Sequence, residues 1–176
     1  MNILIVGLGN VGKEYSQNRH NIGWHVLDSF HKEQQFSDWR DAYQNCKISS
    51  GVATNHNIML LKPLTMMNLS GNAVKNCVES NTPDNVIVIH DEMDIPYGDV
   101  RMKFGGSRAD HRGLRDVVRV LDTHDFHRIR CGIGRPPKDR KVLDHVLSDF
   151  TQIELETMNC FINNIMCCLS ETLNSL

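Results

Sequence analysis

The sequence predicts one α/β domain over residues 1–176, a twisted mixed β-sheet with helices on both faces. Three observations carry this. Short β-rich runs alternate with segments of helical apolar spacing along the chain. One run, Val86-Ile87-Val88-Ile89, is continuously apolar, as a strand buried on both faces is. The length of 176 residues, with 40% hydrophobic and 23% charged side chains, suits a single full-sized core.

Residues 2–6 form a β-rich run that stops at Gly7. Residues 21–34 repeat apolar side chains at helical spacing, at Ile22, Val26, Leu27 and Phe30. Residues 47–53 and 58–61 read as a strand pair around an Asn55-His56-Asn57 turn, and residues 69–78 as a helix with Asn68 near its start. The buried strand at 86–89 follows. Residues 100–104 alternate as a strand does. Residues 113–121 are helical through Leu114, Val117, Val118 and Leu121, and residues 128–133 alternate again. Residues 142–150 and 153–173 are helical, the second apolar at Ile153, Phe161, Ile165 and Leu169. Pro136-Pro137-Lys138-Asp139 marks a loop, and no repeat is present.

Composition excludes several classes. No apolar run approaches the roughly 20 residues that span a bilayer, and the start shows neither a basic, apolar secretory leader nor an Arg- and Ser-rich one. The six Cys (46, 77, 131, 160, 167 and 168) lack CxxC spacing, so reduced thiols in the cytoplasm are expected. The net charge of −2 is unevenly spread. Residues 1–94 carry 7 basic and 10 acidic side chains, residues 95–141 carry 12 and 6, and residues 142–176 carry none and 5. A middle segment at +6 is either a solvated surface or the seat of an anionic partner.

Four motifs carry candidate chemistry. Gly7-Leu8-Gly9-Asn10-Val11-Gly12 matches the GxGxxG dinucleotide fingerprint after a strand. That fingerprint needs a helix opening within it and an acidic residue ending a second strand. Residues 13–18 lack helical periodicity, and Asp28 and Glu33 fall inside the predicted helix. A tight turn exposing Asn10 is expected instead. In Arg19-His20-Asn21-Ile22-Gly23, a His at a loop–helix junction is either a general base or a cap. Asn68, in the segment from Lys62 to Gly71, reads equally as a helix N-cap. His90-Asp91-Glu92-Met93-Asp94 ends the buried strand, where α/β sheets place ligands and reacting groups. A metal set is conceivable there, but an Asp that orients a His from another loop is more economical.

Together these stretches resemble the bacterial-type peptidyl-tRNA hydrolase family. The matching residues are Ile5 through Asn10, Glu14-Tyr15, Arg19-His20-Asn21, Lys62-Pro63, Met67 through Gly71, His90-Asp91-Glu92 with Asp94, and Lys103 through Gly106. His111 with Gly113-Leu114, Phe126 through Arg130, and Gly132-Ile133-Gly134 complete the set in the family's order. The resemblance implies hydrolysis of the ester between a peptide and the tRNA 3′ ribose. It makes His20 the base that activates water and Asp91 its orienting group. Asn10, Tyr15, Met67 and Asn68 fall in the substrate-binding set, and Lys103 and Arg130 match positions that grip a tRNA phosphate, inside the +6 segment; Arg112, which departs from the family, is expected to bind substrate as a cation. It implies no metal and no organic cofactor, and peptidyl-tRNA as partner; the apolar pattern and the thiols add the expectation of no membrane and a cytoplasmic protein, taken as a monomer.

Four departures stand out. Val11 replaces the family's usual Pro. Ser107-Arg108-Ala109-Asp110 replaces a loop rich in Gly and His, Arg112 replaces an Asn that lines the crevice, and the C-terminal segment is short and without basic residues. The alternative from another class is a degenerate relative that binds RNA or a protein without hydrolysis. Arg112 and the altered loop speak for it; the retained Asn10, His20, Asn68 and Asp91 speak against it.

Overall fold

The computed structural model describes residues 1–106 and 110–176. Its centre is a seven-stranded sheet built from β1 (Asn2–Gly7), β2 (Arg40–Ala42), β3 (Cys46–Ala53), β4 (His56–Pro63), β5 (Asn85–Glu92), β6 (Val100–Phe104) and β7 (His127–Gly132). The strand order is β2-β3-β4-β1-β5-β7-β6. Strands β4, β1, β5 and β7 run parallel, and β2, β3 and β6 extend the edges by antiparallel pairing. The helices are α1 (Ile22–Glu33), α2 (Ser70–Asn81), α3 (Arg112–Leu121), α4 (Val142–Val146) and α5 (Gln152–Asn174). Single 3-10 turns lie at Lys13–Tyr15, Arg19–Asn21 and Met67–Leu69.

Side-chain alternation explains the two-sided core. Ile3, Ile5, Ile87, Ile89 and Ile129 point to one face and pack with Phe30 of α1 and Phe161, Ile165 and Leu169 of α5. Leu4, Val6 and Val88 point to the other and pack with Val74 and Cys77 of α2 and Leu114 and Val117 of α3. A strand covered on both faces needs apolar side chains at every position, hence the run at 86–89. All six Cys are free thiols, and among the described residues no helix is long and apolar enough to cross a membrane.

Several local expectations are corrected. The hairpin turn is Thr54-Asn55, both at positive φ (47° and 63°), so His56 and Asn57 already belong to β4. Strand β2 was not expected, because it is a short, largely exposed edge with no alternating apolar side chains. Helix α4 ends at Val146 rather than near residue 150, because residues 148–150 leave the helix to bind the chain before α1. Arg19 N–H donates to Ser148 C=O (3.1 Å), Phe150 N–H donates to Gln17 C=O (3.4 Å), and Asn18 bridges Asp149.

The glycine motif after β1 is a packing device. A Cβ on Gly23 would lie 2.6 Å from Leu8 N and from Ile89 O, and one on Gly7 would lie 2.5 Å from Gly23 O. Glycine at both positions lets the start of α1 press against the ends of β1 and β5. Helix α1 begins ten residues beyond Gly12, so no helix N-terminus faces the turn as a dinucleotide site requires. Asn10 is not exposed by this turn: it is buried, at 2% relative exposure. Val11, in place of the family's Pro, donates its N–H to Thr65 C=O (3.2 Å), a bond proline has no proton to make.

Candidate active site

The site forms at the carboxyl ends of the parallel strands, where β5 delivers His90, Asp91 and Glu92. The turn before α1 brings His20, and the start of α3 brings His111. The buried Asp91 Oδ1 takes two imidazoles, His20 Nδ1 at 2.7 Å and His111 Nε2 at 2.8 Å. The surrounding bonds fix the tautomers. Leu114 N–H donates to His111 Nδ1 (3.2 Å), so neutral His111 carries its proton on Nε2 and donates it to Asp91. A carboxylate only accepts, so His20 donates Nδ1–H and keeps a lone pair on Nε2. Burial pushes the Asp91 carboxyl up, but the charge and hydrogen bonds of His20 and His111 outweigh it and hold the group well below the usual carboxylate range. Asp91 therefore stays an acceptor at any working pH.

His20 and Asp91 line a cavity of about 360 Å³. Arg112, Arg130 and Asp110 contribute charge to its wall, and Met93, Val142, Leu143 and Val146 contribute apolar surface. His20, Asp91 and His111 also form the one group of His, Cys, Asp or Glu side chains among the described residues whose donor atoms could share a cation, all within 4.8 Å. Those atoms already satisfy one another. A cation would displace both protons from Asp91 Oδ1 and undo the bond that presents His20 Nε2, so the donor set suits a hydrogen-bonded triad better than a metal.

His90 adds a third imidazole. Its Nδ1–H donates to the Asp91 main-chain carbonyl (2.7 Å), and its ring meets His111 edge-on at 5.0 Å. Burial, reinforced by the neighbouring His111 charge, pushes its pKa down to about 3. Folding is thus linked to pH. Between pH 6.5 and 3 the unfolded chain binds a proton that folded His90 refuses. The stability His90 contributes is complete above about pH 6.5 and is lost as pH falls, by about 1.4 kcal/mol per unit. From pH 7.5 to 5 this group should cost wild type about 2 kcal/mol that His90→Leu is spared. Urea unfolding of both proteins at the two pH values checks it, and equal losses would refute it.

The remaining sequence-selected residues divide. Asn10 latches two loops: its Oδ1 accepts Met67 N–H (2.6 Å), its N–H donates to Asn21 Oδ1 (2.9 Å), and its C=O accepts from Asn21 Nδ2 (3.0 Å). Among the described residues Asn10 Nδ2 has no partner. Asn68 is exposed in the Met67–Leu69 turn. It is not the cap of α2, whose N-cap is Leu69 without a side-chain bond. Tyr15 is half-buried at the end of its own turn. Arg112 is exposed at the start of α3 and lines the cavity; Asn10, Tyr15, Met67 and Asn68 lie outside the lining. The loop departure at Ser107, Arg108 and Ala109 lies outside the described residues.

Lys103 and Arg130 lie on neighbouring strands. In the antiparallel β6–β7 pair, Arg101 faces Arg130 and Lys103 faces Arg128. Opposed residues share a face, and so do residues two apart, so all four cations fall on one side of the sheet. Arg128 is buried and donates to Gly106 C=O (2.8 Å), and Arg130 binds Glu92 (3.1 Å). Lys103 is exposed on the edge strand. The residue missing from the sequence-based site is His111. Its place in the Asp91 triad is a tertiary contact, and the only sequence signal was its position ahead of Gly113-Leu114.

The fold and the sequence are those of known proteins. Residues 4–175 match the family model described as peptidyl-tRNA hydrolase. The chain is 38% identical over 157 residues to a peptidyl-tRNA hydrolase of Staphylococcus saprophyticus, covering 88% of this chain and 82% of that one. It is 40% identical over 163 residues to that of Syntrophotalea carbinolica, covering 92% and 85%. The crystal structure of peptidyl-tRNA hydrolase from Acinetobacter baumannii aligns with a TM-score of 0.85 at 32% identity, covering 97% of this chain and 92% of that one. An MTA/SAH nucleosidase, with a TM-score of 0.59 at 8% identity, shares the fold alone. With the family match running almost end to end and the same fold in a solved relative, this chain belongs to the peptidyl-tRNA hydrolase family.

Proposed function

We propose that the chain hydrolyses the ester between a peptide and the 3′ ribose of tRNA, with His20 as general base and Asp91 as the group that holds it. One geometric observation supports this most: His20 lines the cavity and gives Nδ1–H to Asp91, which leaves the Nε2 lone pair without a partner among the described residues. Nε2 takes a proton from water as the water oxygen attacks the ester carbonyl. The carbonyl electrons move to oxygen, where amide donors meet the developing charge. Asn10 Nδ2 is the donor its own latch holds in place, and the exposed Asn68 supplies a second. Collapse expels the ribose oxygen, which recovers the proton from His20 Nε2. Peptide acid and free tRNA leave. Asp91, unprotonated throughout, stabilises the imidazolium between the two transfers.

The cations supply binding. Lys103 and Arg130 meet a tRNA backbone phosphate from the basic sheet face, and Arg112 meets a phosphate near the 3′ end, where a planar cation suits the oxygens. Tyr15 and Met67 flank the substrate from the turns on either side of Asn10. The enzyme works as a cytoplasmic monomer without a cofactor. The test is release of a labelled N-acetyl-aminoacyl group from full-length tRNA and from a short substrate carrying only the 3′ end. Wild type should cleave both. Lys103→Ala should raise KM about tenfold on full-length tRNA only and flatten its salt dependence, whereas Arg112→Asn should raise KM on both. A wild type that binds tRNA but releases nothing would make the chain a degenerate relative.

A further inference from the structure

The motif Arg19-His20-Asn21 contains a residue the mechanism has not used. Asn21 holds Asn10 and His20 is the base, while Arg19 turns the other way, into the C-terminal part of the chain. Its side chain is almost wholly buried, with its guanidinium over the Phe150 ring. Nη1 donates to Ser148 Oγ (2.6 Å), Asp149 C=O (2.6 Å) and Ser148 C=O (3.3 Å). Nη2 donates to Glu154 Oε2 (2.5 Å). Asn18 adds a bond from Nδ2 to Asp149 Oδ1 (2.7 Å).

The partners of Arg19 are themselves anchored. Glu154 closes the capping box of α5 with Thr151, accepting Thr151 N–H at 2.6 Å. Ser148 Oγ donates to His145 C=O (2.6 Å) on α4, the helix that walls the cavity with Val142, Leu143 and Val146. One guanidinium thus joins the residue beside the base, the apolar cavity wall and the first turn of the longest helix. Burial pushes the Glu154 carboxyl up, but the Thr151 bonds and Arg19 outweigh it and bring it below its ordinary value, so the pair is charged at neutral pH.

We infer that Arg19 is a positioning residue for the hydrolysis: by clamping the His20 turn to residues 148–149 and Glu154, it holds the imidazole where Nδ1 meets Asp91 and Nε2 meets the substrate. The inference rests on His20 being the base. A base displaced by about 1 Å loses up to a hundredfold in rate, so a clamp one residue away acts on kcat. The planar fork matters as well as the charge, because four acceptors lie around it and an ammonium reaches fewer of them.

The test uses Arg19→Lys, which keeps the charge and loses the fork, and Glu154→Gln. Glutamine still closes a capping box, so the second variant removes the ion pair and spares the start of α5. At a temperature where circular dichroism shows both folded, Arg19→Lys should lower kcat about tenfold and Glu154→Gln about threefold, each with KM within about twofold of wild type. Nitrogen-15 NMR of the His20 ring should show wild type with its proton on Nδ1 and both variants with mixed tautomers. Unchanged kcat and an unchanged ring tautomer, with only the melting temperature lowered, would overturn the inference and leave Arg19 a residue of the fold. Should Arg19→Lys not fold, Glu154→Gln decides by the same two readouts. Should wild type lack turnover, the hydrolase reading fails separately and the ring tautomer still decides for Arg19.

Discussion

Asp91→Asn should lower kcat by about 10²–10⁴ with KM little changed. Asp91 Oδ1 receives two N–H groups, one from each imidazole. An asparagine puts either its oxygen or its NH₂ at that shared position, and an NH₂ there meets His20 Nδ1 as well as His111 Nε2. The His20 proton then moves to Nε2 and the base is disarmed. If the oxygen instead serves both rings, the site still loses the negative charge that stabilises the imidazolium. Either outcome reduces turnover more than substrate binding, since neither removes a contact to tRNA. Steady-state kinetics on N-acetyl-aminoacyl-tRNA read it directly, and a kcat within twofold of wild type would mean Asp91 does not act through His20.

Asn10→Asp should lower kcat by about 10²–10³, the usual loss for one donor to a developing oxyanion. The substitution separates two jobs of the same side chain. A carboxylate oxygen can accept Met67 N–H as Asn10 Oδ1 does, so the latch between the two loops survives. The Nδ2 donor disappears, and a negative group stands where a negative charge must form. Asn10→Ala would confuse the two effects by freeing Met67 N–H as well. If Asn10→Asp keeps wild-type turnover while the Met67 amide stays protected from hydrogen exchange, Asn10 is only a latch.

The sequence foretold the sheet well where burial dictates pattern. Residues 86–89 are apolar at every position because Ile87 and Ile89 face one core and Val88 the other. It misled where pairing is remote. Residues 142–150 carry helical spacing throughout, yet residues 148–150 leave the helix for partners at residues 17–19, 129 to 133 positions earlier. The same distance hid Arg19's contacts. Strand β2 has no apolar alternation to betray it, and Asn10 looked exposed because nothing in GxGxxG announces that Asn21 and Met67 close over it. His20 and Asp91 were legible as chemical types at suitable places, a base at a loop–helix junction and a carboxylate at a strand end. The doubly occupied Asp91 oxygen was not, because His111 reaches it through space from the start of α3.

The central claim is that His20 Nε2 takes the proton from the attacking water. Single-turnover release of a labelled N-acetyl-aminoacyl group from tRNA, at saturating enzyme, tests it with wild type against His20→Ala. Saturation removes binding from the comparison, and tRNA affinity is measured alongside. In this mechanism the ring moves a proton and does not hold tRNA, so the dissociation constant should stay within about twofold while the rate falls by about 10²–10⁴, the usual contribution of a general base. A His20→Ala protein that still releases the label at more than half the wild-type rate would contradict the account.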